Sequence, residues 1–166
     1  MTLFNTTFLQ IATIGIGATA VMDVWLLLLK TLGLPTLNFA FLGRWVGHMP
    51  RGQWTHVAIG NASPMRGERV LGWSAHYATG LAFAALLVAS LGPEWVRTPT
   101  LAPALLFGVG TVTVPLFVMQ PAMGAGIASC RTKTPLLNCL KSLCNHTAFG
   151  LGLYVAALCL SLSTRA

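Results

Sequence analysis

The chain has 166 residues, of which 55% are hydrophobic and only 8% are charged, and its mean hydropathy is +0.73. A soluble domain carries about 25% charged residues, so this composition excludes an ordinary soluble protein, and it excludes a disordered chain as well. The net charge of +7 comes from basic residues that lie between apolar runs, not along a stripe with interleaved aromatic residues. We therefore expect no nucleic acid partner and predict a polytopic protein embedded in a lipid bilayer.

Four apolar runs are long enough to cross a bilayer, which takes about 20 helical residues. They lie at residues 8–29, 70–91, 101–123 and 143–162, and a loop of residues 30–69 separates the first two. The sequence thus predicts an all-α, four-span protein, with residues 1–166 forming a single membrane domain.

The loop of residues 30–69 is too long for a simple turn. Leu37, Phe41 and Trp45 repeat every four residues in it, which predicts a short interfacial helix that is apolar on one side. We expect a second short helix around Trp54 to Ile59.

Basic residues are divided unequally between the connections. The first and third connections hold Lys30, Arg44, Arg51, Arg66, Arg69, Arg131, Lys133 and Lys141, whereas the other face holds only Arg97 and Arg165. Because cytoplasmic loops are enriched in Lys and Arg, we expect both connections in the cytoplasm, in contact with anionic lipids. Both termini are then periplasmic, or outside.

Small residues recur every four positions in the predicted spans. Ala148, Gly152 and Ala156 do so on the fourth span, and Ala104 and Gly108 on the third. Such residues let helix backbones approach closely. We favour packing inside one chain, although the same stripes would fit a homo-oligomer.

Prolines and glycines interrupt the third span. Pro115 removes a backbone donor and disturbs the carbonyl of Thr111, which predicts a kink. Pro121, Gly124 and Gly126 follow in quick succession, so we expect the helix to break or end before Ser129.

Each predicted span contains one conspicuous polar residue, and these are Asp23, His76, Gln120 and His146. At about 1.5 Å per residue, all four lie roughly 5–9 Å inside the cytoplasmic edge. An ionisable side chain in a span is costly unless it faces the bundle and has a partner. We expect one shared polar layer with Asp23 next to a histidine, and Lys30 is the competing partner for Asp23.

Three chemistries suit this layer. Asp23 could orient or charge His76 or His146 in a proton relay or polar binding pocket, which ranks first. The same three residues could bind a divalent transition metal. The two histidines could instead ligate a haem from both faces. No motif identifies a cofactor.

Further polar residues lie on the same predicted side of the membrane. His48 and His56 in the first loop could close over the layer, and Arg131 and Lys133 would favour anions. The candidates for substrate binding are His48, Arg44, Arg51, Glu68 and Arg131.

The sequence contains no nucleotide-binding loop, no HExxH and no Gly-x-Ser-x-Gly, and it leaves open whether the protein is an enzyme. The leading hypothesis is a binding, transport or proton-relay site. The competing hypothesis is a non-catalytic assembly or scaffold subunit.

Several motifs together resemble a family of small four-span bacterial inner-membrane proteins, domain of unknown function twenty-nine thirty-eight. The resemblance spans nearly the whole chain. Two of its motifs are Gly43-Arg44-Trp45-Val46-Gly47-His48 and Gly72-Trp73-Ser74-Ala75-His76-Tyr77. The most specific motif is Met119-Gln120-Pro121-Ala122-Met123-Gly124-Ala125-Gly126. It implies a four-span bacterial membrane protein and carries no established activity.

The charge asymmetry predicts the orientation. Reporter enzymes fused to either terminus should be active when they require export and inactive when they require the cytoplasm, because the basic connections are retained inside. Terminal fusions that are active only in the cytoplasm would contradict this orientation.

Overall fold

The computed structural model describes residues 3–165, and within them the regular structure is helical throughout, which confirms the all-α prediction. The α-helices are α1 (Leu3–Thr31), α2 (Phe39–His48), α3 (Glu68–Leu91), α4 (Pro93–Arg97), α5 (Leu101–Gly110), α6 (Gln120–Ala122) and α7 (Pro135–Ser163). A π-helical segment covers Pro115–Met119, and 3₁₀ turns cover Met49–Arg51, Ile59–Asn61 and Ile127–Ser129.

Four helical stretches are long and apolar enough to cross a membrane, as predicted: Thr7–Thr31, Glu68–Leu91, Leu101–Ala122 and Pro135–Ser163. The largest difference is at the fourth, which begins at Pro135 instead of residue 143. Proline suits the first turn of a helix because no N–H is needed there. Because the charged Lys141 interrupts the apolar run, the start predicted from the sequence falls after it and is too late.

The chain divides into two compact units. The first, called the bundle unit here, comprises the chain up to Leu34, Tyr77–Thr111 and the chain from Asn145 onward. The second, called the loop unit, comprises Pro35–His76 and Val112–Cys144. A single membrane domain stays a prediction.

Helices α1, α3, α5 and α7 pack through small residues in the bundle unit. A Cβ added to Gly15 would lie 2.9 Å from the Cα of Leu81 on α3, and one added to Gly152 would lie 2.8 Å from the Cα of Ala18 on α1. Backbones this close leave no room for larger side chains. The stripe on α7 therefore packs within the chain, as favoured from the sequence.

The core of the bundle unit is apolar. Ile14, Leu87 and Leu153 are fully buried, and Trp95 on α4 is buried with them. The ring of Phe83 meets the ring of Phe149 edge-on, with centroids 6.0 Å apart. Short α4 thus adds an aromatic side chain to the same core.

In the loop unit, α2 packs closely on the first turns of α3. The Asn38 side chain caps α2 by accepting a 3.0 Å hydrogen bond from the backbone N–H of Ala40, a common start for a helix. Gly43 lies against the carbonyl of Glu68, and Gly72 against the carbonyl of Phe39. The prediction of a helix in this loop is confirmed.

The helix expected around Trp54 to Ile59 is wrong. Residues 53–58 are not helical, and only a 3₁₀ turn forms from Ile59. The backbone N–H groups of His56 and Ile59 instead donate to the carbonyls of Ala122 and Met123, at 2.8 and 3.0 Å. These long-range bonds satisfy donors that a local helix would have used.

The third span is interrupted and ends where prolines and glycines predict it. α5 ends at Gly110, and the π-helical segment begins at Pro115. After Ala122 the chain turns at Gly124, whose φ is +96°, in a region that favours glycine. The predicted end before Ser129 is confirmed.

Two glycines of α5 give a matched test of the packing. A Cβ on Gly108 would lie 2.8 Å from the His146 carbonyl, whereas one on Gly110 would meet nothing within 4 Å. Gly108→Ala should lower the free energy of unfolding by about 1–3 kcal/mol through overpacking. Gly110→Ala should leave it unchanged or raise it slightly. Equal thermal unfolding curves of the two variants in detergent would contradict this packing.

Candidate functional site

Asp23 and His146 lie in the bundle unit, whereas His76 and Gln120 lie in the loop unit. The Tyr77 hydroxyl donates a 2.8 Å hydrogen bond to the Oδ2 of Asp23. This bond links α1 to α3 and supplies a polar contact for a carboxylate inside a span. The sequence places Tyr77 beside His76 but gives no sign that it reaches Asp23. A contact between Asp23 and a histidine stays a prediction.

His146 on α7 is held by Thr111, the residue that follows α5. The Thr111 hydroxyl lies 2.8 Å from the Nδ1 of His146, and it also bonds the carbonyl of Gly108. A hydroxyl has one proton. If that proton goes to Gly108, the ring must donate its Nδ1–H to Thr111, and the neutral ring then carries its lone pair on Nε2.

A third polar contact joins α1 and α7. The indole Nε1–H of Trp25 donates to the Oδ1 of Asn145 at 3.0 Å. Trp25 is two residues from Asp23, and Asn145 precedes His146. A buried tryptophan usually has an acceptor for this N–H. The presence of Trp25 in an apolar span is therefore the sequence feature from which such a contact could have been predicted.

His76 belongs to an aromatic cluster in the loop unit. Its ring centroid lies 4.7 Å from that of Phe39 and 5.9 Å from that of Trp73. Phe39 and Trp73 are themselves 4.2 Å apart. The cluster fixes the His76 ring near the start of α2.

Gln120 connects the turn that follows the third span to the first turns of α7. Its Oε1 accepts a 2.9 Å hydrogen bond from the Ser129 hydroxyl, and its Nε2 donates to Ser142 at 3.3 Å. Ser129 is buried and has a φ of +58°, and Ala128 before it has a φ of +49°. The bond from Ser129 therefore helps to hold a strained turn.

Arg44 and Glu68 form an ion pair. The Arg44 Nε lies 2.8 Å from the Oε2 of Glu68, and the Nη2 donates to the Oε1 at 2.9 Å. The Arg44 side chain is nearly buried, and its Nη1 also donates to the carbonyls of Ile59, Gly60 and Ala62. The hydrogen bonds to Glu68 raise the pKa of Arg44 above its ordinary value. Both residues organise the loop, and substrate binding by them stays a prediction.

The remaining candidates in the loop unit differ in exposure. His48 is 3% exposed, and its Nδ1 lies 2.8 Å from the Nε2 of His56. Arg51 and Arg131 are exposed. The pairing of His48 with His56 is a contact that sequence reasoning missed, because the seven residues between them form a 3₁₀ turn and irregular backbone, in which no helical spacing predicts a contact.

Within residues 3–165, no group of three or more His, Cys, Asp or Glu side chains is arranged to hold a metal ion. Metal binding by Asp23, His76 and His146, and a haem between the histidines, stay predictions.

A family model described as "Protein of unknown function (DUF2938)" matches residues 12–160. The chain belongs to this family. The match confirms the resemblance seen in the sequence motifs, and all nine candidate residues of this DUF2938 protein lie within it. No curated protein and no solved structure matches the chain.

The contact between Thr111 and His146 makes a testable prediction for this DUF2938 protein. Thr111→Val removes the acceptor for the Nδ1–H, so the His146 ring should lose its single tautomer, whereas Thr111→Ser should retain it. ¹⁵N NMR of histidine-labelled protein distinguishes the two tautomers. The same His146 spectrum in both variants would show that the hydroxyl does not set the tautomer.

Proposed function

We propose that this DUF2938 protein is a multi-pass protein of the bacterial inner membrane that takes up and releases protons at a polar site in its bundle unit. Asp23 with Tyr77, and His146 with Thr111, form this site. The observation that carries the proposal is the contact of Thr111 with His146, because it favours a proton on Nδ1 and so leaves Nε2 as the nitrogen that gains and loses a proton. An ionisable residue inside a span is costly and usually marks function.

The two ionisable groups have complementary roles in this proposal. The Asp23 carboxylate accepts a hydrogen bond from Tyr77, and it can hold either a proton or a negative charge. His146 changes between a neutral and a cationic ring. Carboxylates and imidazoles within a span are the groups that proton relays use.

The proposed orientation follows from charge. The basic first and third connections lie in the cytoplasm, against anionic lipid headgroups, and both termini lie in the periplasm. The polar site then lies toward the cytoplasmic ends of the spans.

The second candidate is a non-catalytic assembly or scaffold subunit. It is favoured by the side chains of Arg44, Glu68 and Gln120, which bond other groups of the protein. A metal or haem protein is a further alternative, for which absorption spectra and metal analysis of the purified protein give the test.

Proton uptake can be measured in proteoliposomes that contain a pH-sensitive dye, under a potassium diffusion potential. The wild-type protein should admit protons faster than protein-free liposomes. Asp23→Asn and His146→Gln should slow this flux by at least about tenfold, since each removes a group that exchanges a proton.

The matched control is Glu94→Gln, which removes an exposed carboxylate whose ion pair with Arg97 lies at the surface. It should retain the wild-type flux. A wild-type flux equal to that of empty liposomes, or a normal flux in both site variants, would contradict the proposal and favour the scaffold.

A further inference from the structure

His48 and His56 form a contact that the proposed proton site does not use. The Nδ1 of His48 lies 2.8 Å from the Nε2 of His56, and His48 is buried. The Nδ1 of His56 is also buried, and it has no hydrogen-bond partner. A buried polar atom without a partner in a native protein calls for an explanation.

The contact helps to hold residues 53–59 in place, and this segment together with His48 is called the latch here. At one end, the N–H of Gln53 donates to the carbonyl of His48 at 3.3 Å. In the middle and at the other end, His56 and Ile59 donate to the carbonyls of Ala122 and Met123. His56 therefore makes both contacts: its ring meets His48, and its backbone N–H joins the latch to the end of the third span.

The number of protons that the two rings can hold decides how the closed latch responds to acid. The two rings have four nitrogens, and a 2.8 Å contact between nitrogens accommodates one proton on its axis. Two neutral rings carry two protons, so one outer nitrogen is protonated. That nitrogen is the Nε2 of His48, because a buried N–H without an acceptor costs more than a bare lone pair.

A third proton has only one place to go while the latch is closed. It must occupy the Nδ1 of His56, where it would be a buried donor with no acceptor. When the latch opens, water can solvate both rings and this penalty disappears. The open form therefore binds protons more readily than the closed form, and the stability of the closed latch rises with pH.

The surrounding charges do not replace this acceptor. Arg44 lies one turn before His48 on α2, and Arg51 lies in the turn that follows α2. Glu68 on α3 is close enough for its charge to interact with that of His48, but its carboxylate is bound to Arg44 and to the N–H of Met65. Ala122 and Met123, which receive the latch, have no titratable side chain.

We propose that His48 and His56 form an acid-operated latch, which holds residues 53–59 on the end of the third span when both rings are neutral and releases them on protonation. Histidine is the side chain that changes charge between about pH 5 and 8. The latch shares no residue with the proton site proposed for the bundle unit.

Hydrogen exchange of the full-length protein in detergent tests the latch. The quantity to follow is the protection of the His56 and Ile59 amides, corrected for the intrinsic exchange rate at each pH. Protection should be constant at the alkaline end and then fall about tenfold per pH unit, as expected for opening linked to uptake of one proton. A constant protection from pH 8 to pH 5, about the range over which histidine titrates, would overturn the proposal.

His56→Gln removes the titrating ring and should abolish this pH dependence. Arg51→Gln changes a neighbouring charge in the same loop and should retain it. If His56→Gln kept the wild-type slope, another group would be the sensor and the latch would be wrong.

A measurement on the wild-type protein gives an answer even if His56→Gln fails to fold. ¹⁵N NMR at pH 8, the alkaline end of about the range in which histidine titrates, should show both rings protonated at Nε2. A proton on the Nδ1 of His56 would overturn the assignment on which the latch rests.

Discussion

Arg44 on α2 binds Glu68, the first residue of α3, through two hydrogen bonds of 2.8 and 2.9 Å, and the rest of the loop unit is arranged around this ion pair. The same guanidinium donates to three backbone carbonyls, at Ile59, Gly60 and Ala62. Removing either partner leaves the other charge without compensation, and removing Arg44 also leaves these carbonyls without their donor. The fold of this loop thus depends on a single side chain that neutralises a carboxylate and satisfies backbone acceptors together.

Two glycines make this ion pair geometrically accessible. Gly43 and Gly72 face the carbonyls of Glu68 and Phe39, at positions where a Cβ would collide with the backbone. α2 can therefore lie directly on the first turns of α3, which puts Arg44 within reach of Glu68. The same placement brings Phe39, Trp73 and His76 into one aromatic cluster.

In the bundle unit, hydrogen bonds between neighbouring helices hold three pairs of polar side chains. Tyr77 binds Asp23, Asn145 binds Trp25, and Thr111 binds His146. A polar group without a partner is costly in apolar surroundings, so each bond favours one rotational setting of its two helices. The small-residue stripes fix how closely the helices approach, and the polar contacts fix which faces meet.

The sequence by itself determined the four apolar spans, the helix in the first loop, the small-residue stripes and an end of the third span before Ser129. These features follow from local composition and periodicity, which act over a few turns of helix. It also singled out Asp23, His146 and Arg44 as residues that need an explanation, because charged and titratable groups are rare in such a chain. The family match over residues 12–160 includes most of each of the four spans that these patterns predict.

Only the tertiary structure decided which side chains and backbone groups bond to one another. Tyr77 lies 54 residues from Asp23, and Thr111 lies 35 residues from His146, so no local pattern indicates either contact. Residues 53–58 form no helix because His56 and the following Ile59 donate to backbone carbonyls at Ala122 and Met123, more than a whole span away in sequence. Hydrogen bonds depend on distances and directions in space. These are set only when the helices pack, so they cannot be read from the sequence.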